Sequence, residues 1–284
     1  MRMRKAINFI SFAVFAFCAA GAEPPELATE LESDGEFGAA AAARRRQALL
    51  EDDPIRSAGY FYLAALNYSG EGRFTLSERM LDRAEDSAPD ALAFPAAVLR
   101  AENAYAASDF ASADFFFSSV ENSAEADDEF VAYARRGQAA SRILSWDIDG
   151  GASFFGENSD EWLAIQAYKR GSDKSPRLGG LLGIIPGLGY AYSGEYGNAV
   201  RSLILNSLFI WGMIETGERD QWGAFSVITF FELTWYTGSI YGGVDAANRR
   251  NRERLEGLVE HIRTDPIPVP EPSVIPVINL RFGF

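Results

Sequence analysis

The stretch Leu178–Val200, LGGLLGIIPGLGYAYSGEYGNAV, decides how the chain is to be read, because it sets seven glycines and a proline among apolar and aromatic residues. Glycine-rich turns can cradle phosphates with bare backbone N–H groups. A Gly/Pro-broken apolar segment can equally sit beside lipid where protein covers its backbone. The phosphate reading fails on its own chemistry. Gly189 and Gly194 have the spacing of a Walker loop, but Glu195 and Tyr196 follow where a lysine and a hydroxyl residue are required. The dinucleotide pattern starts at Gly187 and Gly189 and then meets Tyr192.

The flanking sequence favours lipid. Ala199–Thr216 (AVRSLILNSLFIWGMIET) and Trp222–Val244 (WGAFSVITFFELTWYTGSIYGGV) approach the length a bilayer core needs, with the polar turn GERDQ between them. Trp211, Trp222, Tyr236 and Tyr241 lie toward the ends of the runs, as interfacial aromatics do. Gly238 and Gly242 have the G-x-x-x-G spacing of close helix contacts in lipid. Residues 175–250 are therefore expected to form a membrane-embedded module built on a transmembrane helical hairpin. Glu232, in the middle of the second run, is a functional candidate by its depth; pairing with Arg201 or Asn206 across the hairpin is its structural use. Topology is strained. A simple hairpin leaves the arginines of NRRNRER, Asn248–Arg254, on the exported side, against the positive-inside tendency.

Residues 1–22 read as a secretory signal, with a basic start, a short apolar stretch and a small-residue end at Ala20–Ala22. Cleavage is expected before Glu23, and Phe17 ahead of Cys18 argues against a lipoprotein site. The expected location is the cell envelope, in an inner membrane facing the periplasm more than in an outer membrane. Cys18 is the only cysteine, so a mature chain would hold no disulfide, thiol nucleophile or thiolate metal site. His261 is the only histidine, which excludes histidine triads and multi-histidine metal sites within one chain. No cofactor is expected. A net charge of −14 opposes nucleic-acid binding. The basic run ARRRQ, Ala43–Gln47, reads as a solvated helix face.

From Asp53 to about Asp147 the apolar period is helical, broken at SGEG, SAPD, ASD and NSAEADD. Phe61, Ala64, Ala65, Tyr68, Leu81, Ala84 and Pro89 form one set of large and small positions. Val98, Ala101, Tyr105, Phe110, Ala113, Phe117 and Val120 form a second, and Phe130, Tyr133 and Ala134 open a third. In this spacing, over about residues 54–145, the chain resembles the tetratricopeptide repeats. That resemblance implies stacked helical hairpins with a concave surface for a protein partner. Tyr68, Tyr105 and Phe110 are the expected partner-binding residues. Glu102 departs from the repeat pattern, standing where a small residue is usual.

The glycine-rich half also resembles small bacterial membrane modules with a P-G-x-G-x-x-Y-x-G signature, similar in outline to the two-transmembrane-helix domain family. The matching residues are Pro186, Gly187, Gly189, Tyr192 and Gly194. The resemblance implies a membrane module and supplies no catalytic residue. After it come the charged helix end and the proline-rich tail of residues 251–284. The tail alternates at its close, which resembles the last strand of a barrel, although one strand cannot close one.

The whole reads as an all-α protein in two parts, residues 23–170 exported and residues 175–250 in the membrane. The expected function is a non-catalytic envelope scaffold that binds a partner protein and membrane lipids. A membrane transport or lipid-handling module is one alternative. A hydrolase using a carboxylate pair such as Asp147 and Asp149 is another.

Overall fold

A computed structural model of the chain describes residues 26–89 and 91–263. Residues 1–22, expected to be a signal, and the proline-rich tail beyond 263 lie outside the described residues. Every regular element among the described residues is a helix. The chain divides into two compact units: residues up to Glu161 together with those from His261 onward, and Trp162–Glu260.

The first unit contains α1 (Glu26–Ser33), α2 (Phe37–Leu50), α3 (Pro54–Gly70), α4 (Phe74–Ser87), α5 (Ala93–Ala106), α6 (Phe110–Glu121), α7 (Asp128–Leu144) and α8 (Ile148–Ala152). Side-chain caps define several starts. Asp53 accepts from the backbone N–H groups of Ile55 and Arg56 at 2.9 and 3.2 Å, with Pro54 in the first turn. Asp127 caps α7 in the same way, through Glu129 and Phe130. Sequential helices then fold back on one another and bury their small residues. Ala64, Ala65 and Ala84 are fully buried, with Phe61, Tyr68 and Leu81 packed around them. A second cluster gathers Val98, Ala101, Ala113, Phe117, Val120, Phe130 and Tyr133.

The hairpins stack at a constant offset. Ser69 Oγ donates to Asn103 Oδ1 at 2.6 Å and Tyr62 Oη to the Pro95 carbonyl at 3.3 Å, partners 34 and 33 residues apart. The same offset appears one step earlier, where Asn67 donates to Glu32, 35 residues back, and the Gly38 N–H donates to Glu71, 33 residues on. Stacking thus begins before Asp53, where the repeat pattern was first legible. The alanine-rich α2 buries only Ala40, Ala41, Arg44 and Ala48, while its Leu49 and Leu50 are exposed, so no buried large apolar residue marks it.

The reading of ARRRQ as a solvated face is corrected at Arg44. This side chain is fully buried and donates to Glu32 and Thr29. Arg45 and Arg46 are exposed.

The second unit holds α9 (Asp160–Arg170, apart from its first turn), α10 (Pro176–Leu182), α11 (Leu188–Ser193), α12 (Tyr196–Glu218) and nearly all of α13 (Trp222–Ile262). Helices α12 and α13 form an antiparallel hairpin about the turn near Asp220, as the sequence leads one to expect. The expected transmembrane character is not met: among the described residues no helix is long and apolar enough to cross a membrane. Arg201, Asn206 and Glu215 interrupt the run on α12 and Glu232 that on α13. Ser202, Asn206, Glu232 and Ser239 are all buried and form a polar seam.

Candidate functional site

Two places in the molecule carry unusual chemistry, one in each unit. In the first unit it lies at Glu102, the residue that breaks the repeat pattern. Its carboxylate accepts from the Tyr133 hydroxyl and from Arg263 Nη2. The Arg263 guanidinium lies 4.2 Å from the centre of the Tyr105 ring and 5.4 Å from that of Phe117. Phe110 meets Tyr105 edge-on at 5.9 Å.

Electrostatics follow from burial. Desolvation first, and the Glu102 charge second, push the Tyr133 phenol well above its ordinary range. For Arg263, burial opposes the charge, but the Glu102 carboxylate together with Tyr133 and Tyr105 more than offsets it, and the guanidinium is held protonated more firmly than usual. A carboxylate at a small-residue position is thus explained by a cation that arrives 161 residues later in the chain. Glu102→Ala is expected to cost about 1–3 kcal/mol by stranding the Tyr133 hydroxyl and Arg263. In a double-mutant cycle with Arg263→Ala, chemical denaturation is expected to show that the two losses are not additive.

Of the expected partner-binding residues, the structure brings Tyr105 and Phe110 together and places Tyr68 elsewhere. Tyr68 is part of the first core cluster, with the Arg73 guanidinium 5.3 Å from its ring centre. Asp147, of the carboxylate pair, caps α8 by accepting from the Gly150 N–H at 2.9 Å.

In the second unit the glycine-rich signature builds a helix crossing. Pro186 lies in the turn that enters α11, and Gly187 (φ +87°) and Gly194 (φ +88°) bracket that helix in left-handed conformation. Gly189 is the point of closest approach: a Cβ there would lie 2.5 Å from the Gly179 carbonyl oxygen and 2.9 Å from Gly243 Cα. Tyr192 Oη accepts from the Ser175 N–H at 3.0 Å, and its ring lies under Lys174. Glu195, standing where a phosphate loop needs a cation, instead takes a two-pronged donation from Arg249 at 2.9 and 3.0 Å.

The G-x-x-x-G pair separates. A Cβ on Gly242 would collide with the Tyr190 hydroxyl, whereas one on Gly238 would meet nothing within 4 Å. The close backbone contact is made by Gly179 and Gly243, where a Cβ on either would lie within 2.4 Å of the other's carbonyl oxygen. Their only signal in the sequence was their place among many other glycines.

The α12–α13 hairpin has its polarity reversed. Ser202 Oγ and Ser239 Oγ lie 3.0 Å apart, Gly212 faces Ile228 and Gly217 faces Phe225, which fixes an antiparallel register. In that register Asn206 and Glu232 are separated by about three residues of rise, roughly 4.5 Å. Asn206 Oδ1 and Glu232 Oε2 are buried without a hydrogen-bond partner. Arg201 is exposed, so the anticipated Arg201–Glu232 pair is not formed. Outside the seam, Leu203, Ile204, Leu208, Ile210, Trp211 and Ile214 on α12 are exposed. So are Val227, Phe230, Phe231, Leu233 and Trp235 on α13.

These features define an all-α protein with one unit of stacked helical hairpins and one built around an inverted helical hairpin. No family model matches the chain, nor does any curated protein or any solved structure.

Proposed function

We propose that the protein is a non-catalytic scaffold of the cell envelope. Its stacked hairpins bind a partner protein, and its inverted hairpin holds it at a membrane through lipid contact. The observation that carries the reading is the reversed polarity of α12 and α13, with Ser202, Asn206, Glu232 and Ser239 inside and large apolar side chains outside. In water this arrangement is unfavourable on both counts, since buried polar groups lose their hydration and apolar groups keep theirs. Against acyl chains both costs fall, and association between helices through polar side chains is the ordinary solution there. The reading concerns lipid contact by these outer faces and does not require either helix to cross.

The partner-binding half rests on the stacking offset of 33–35 residues, which supports the likeness to tetratricopeptide repeats. Such arrays present side chains across several helices and have no need of a catalytic centre. The signal reading of residues 1–22 supplies the envelope location.

Flotation with phosphatidylethanolamine–phosphatidylglycerol vesicles tests the tether. The full chain is expected to float with the vesicles. Phe230→Asp combined with Phe231→Asp should weaken partition at least tenfold, since burying one such side chain is worth about 1.5–3 kcal/mol. If the chain stays in the aqueous fraction as a dimer or larger assembly, its outer faces are covered by a second copy and the tether is wrong.

A further inference from the structure

We infer that the first unit carries a recognition cleft for an acidic peptide segment with apolar residues, built on Arg45, Arg79 and Arg83. This deepens the partner-binding half of the proposed scaffold and rests on it. The cleft measures about 380 Å³ and opens between α2 and α4. On α4, Leu76, Arg79, Met80 and Arg83 stand at i, i+3, i+4 and i+7 and so share one helix face. Arg45 closes the cleft from α2, and Tyr68 from α3 reaches it from below.

Charge in the cleft is unbalanced. The one carboxylate in its wall, Asp82, is engaged by Arg100 at 2.7 Å, and Arg100 also binds Glu78 and Glu85. Arg45, Arg79 and Arg83 make no ion pair among the described residues, and all three are exposed. Arg83 lies 5.7 Å from the centre of the Phe61 ring, a contact that orients a guanidinium without neutralising it. Three exposed guanidiniums and one carboxylate thus surround Leu76, Met80 and Tyr68 on a chain whose net charge is −14.

That combination selects the ligand. Guanidinium forks match carboxylates with two parallel hydrogen bonds, and the thioether and ring below them suit an aliphatic side chain. The overall negative charge repels an extended polyanion such as nucleic acid at long range. A short segment with carboxylates set among leucine-like residues meets the local cations and the apolar floor together. Tyr68, an expected partner-binding residue, contributes as a floor of this cleft and not as an exposed aromatic.

The test is fluorescence anisotropy on the full chain. The probe is a labelled hexapeptide of four glutamates and two leucines, beside the same peptide with glutamine for glutamate. Binding of the acidic peptide is expected to weaken as salt rises. It should fall at least tenfold in the double variant Arg45→Gln, Arg79→Gln, and be unchanged in Arg252→Gln, an exposed arginine of the second unit. Because the substituted side chains are exposed, the variants should fold normally, which circular dichroism checks. Equal affinity for the two peptides, or for wild type and the double variant, would overturn the inference. So would displacement of the peptide by an equal concentration of inorganic phosphate, which would assign the cleft to a free anion. Any of these would leave the membrane tether standing, since flotation reads it independently.

Discussion

Phe117→Ala is expected to destabilise the first unit by about 3–5 kcal/mol, the range for removing a fully buried aromatic ring. Phe117 has no exposed surface. Its ring meets Tyr133 edge-on at 5.7 Å, lies 5.4 Å from the Arg263 guanidinium, and occupies the space that a side chain on Gly137 would need. Alanine would leave a cavity and also remove one wall of the Arg263 site, so part of the loss should vanish in an Arg263→Ala background. Phe115→Ala is the control, because Phe115 is 67% exposed two residues away on the same helix. It should stay within about 0.5 kcal/mol of wild type. Chemical denaturation followed by circular dichroism measures both, and similar losses for the two variants would show that the second core cluster is not packed as described.

Gly189→Leu is expected to be as severe for the second unit, costing more than about 3 kcal/mol. Overpacking of side chains against side chains costs about 1–3 kcal/mol because the neighbours can turn aside. Here the neighbours are backbone atoms of Gly179 and Gly243, 2.5 and 2.9 Å from the added Cβ, and they cannot move without separating two helices. Gly238→Leu should be close to neutral, since nothing lies within 4 Å of that position. Hydrogen exchange of the full chain, read over α10, α11 and α13, separates the outcomes. Protection that survives in Gly189→Leu, or collapses in Gly238→Leu, would contradict the crossing.

The class of the fold was legible in the residues from about 54 to 145. Small residues such as Ala64, Ala65 and Ala84 and large ones such as Phe61 and Leu81 recur at helical spacing, and all of them are interior. Such a pattern is local, and one helix period is enough to reveal it. The hairpin of α12 and α13 was visible for the same reason, as two apolar runs around a polar turn. What neither run disclosed was which face each helix would bury, because a run that is apolar nearly all round has no preferred side. Only the pairing of Ser202 with Ser239 in the folded hairpin assigns the polar residues to the inside and the apolar ones to the outside.

Long-range charge was the other thing hidden. In the sequence Glu102 was a misfit and ARRRQ a solvated face, since an unpaired charge is by default placed in water. The tertiary structure buries Arg44 against Glu32 and brings Arg263 to Glu102. It also pairs Asp82 with Arg100 and sets Arg45, Arg79 and Arg83 around one cleft, where they make no ion pair among the described residues. Helical period, small-residue spacing and glycine content are properties of neighbours along the chain, and the sequence by itself determined the helices and their order. Which charges meet, which glycines touch and which side of a helix faces out depend on residues tens to more than a hundred positions apart, and packing alone decided them.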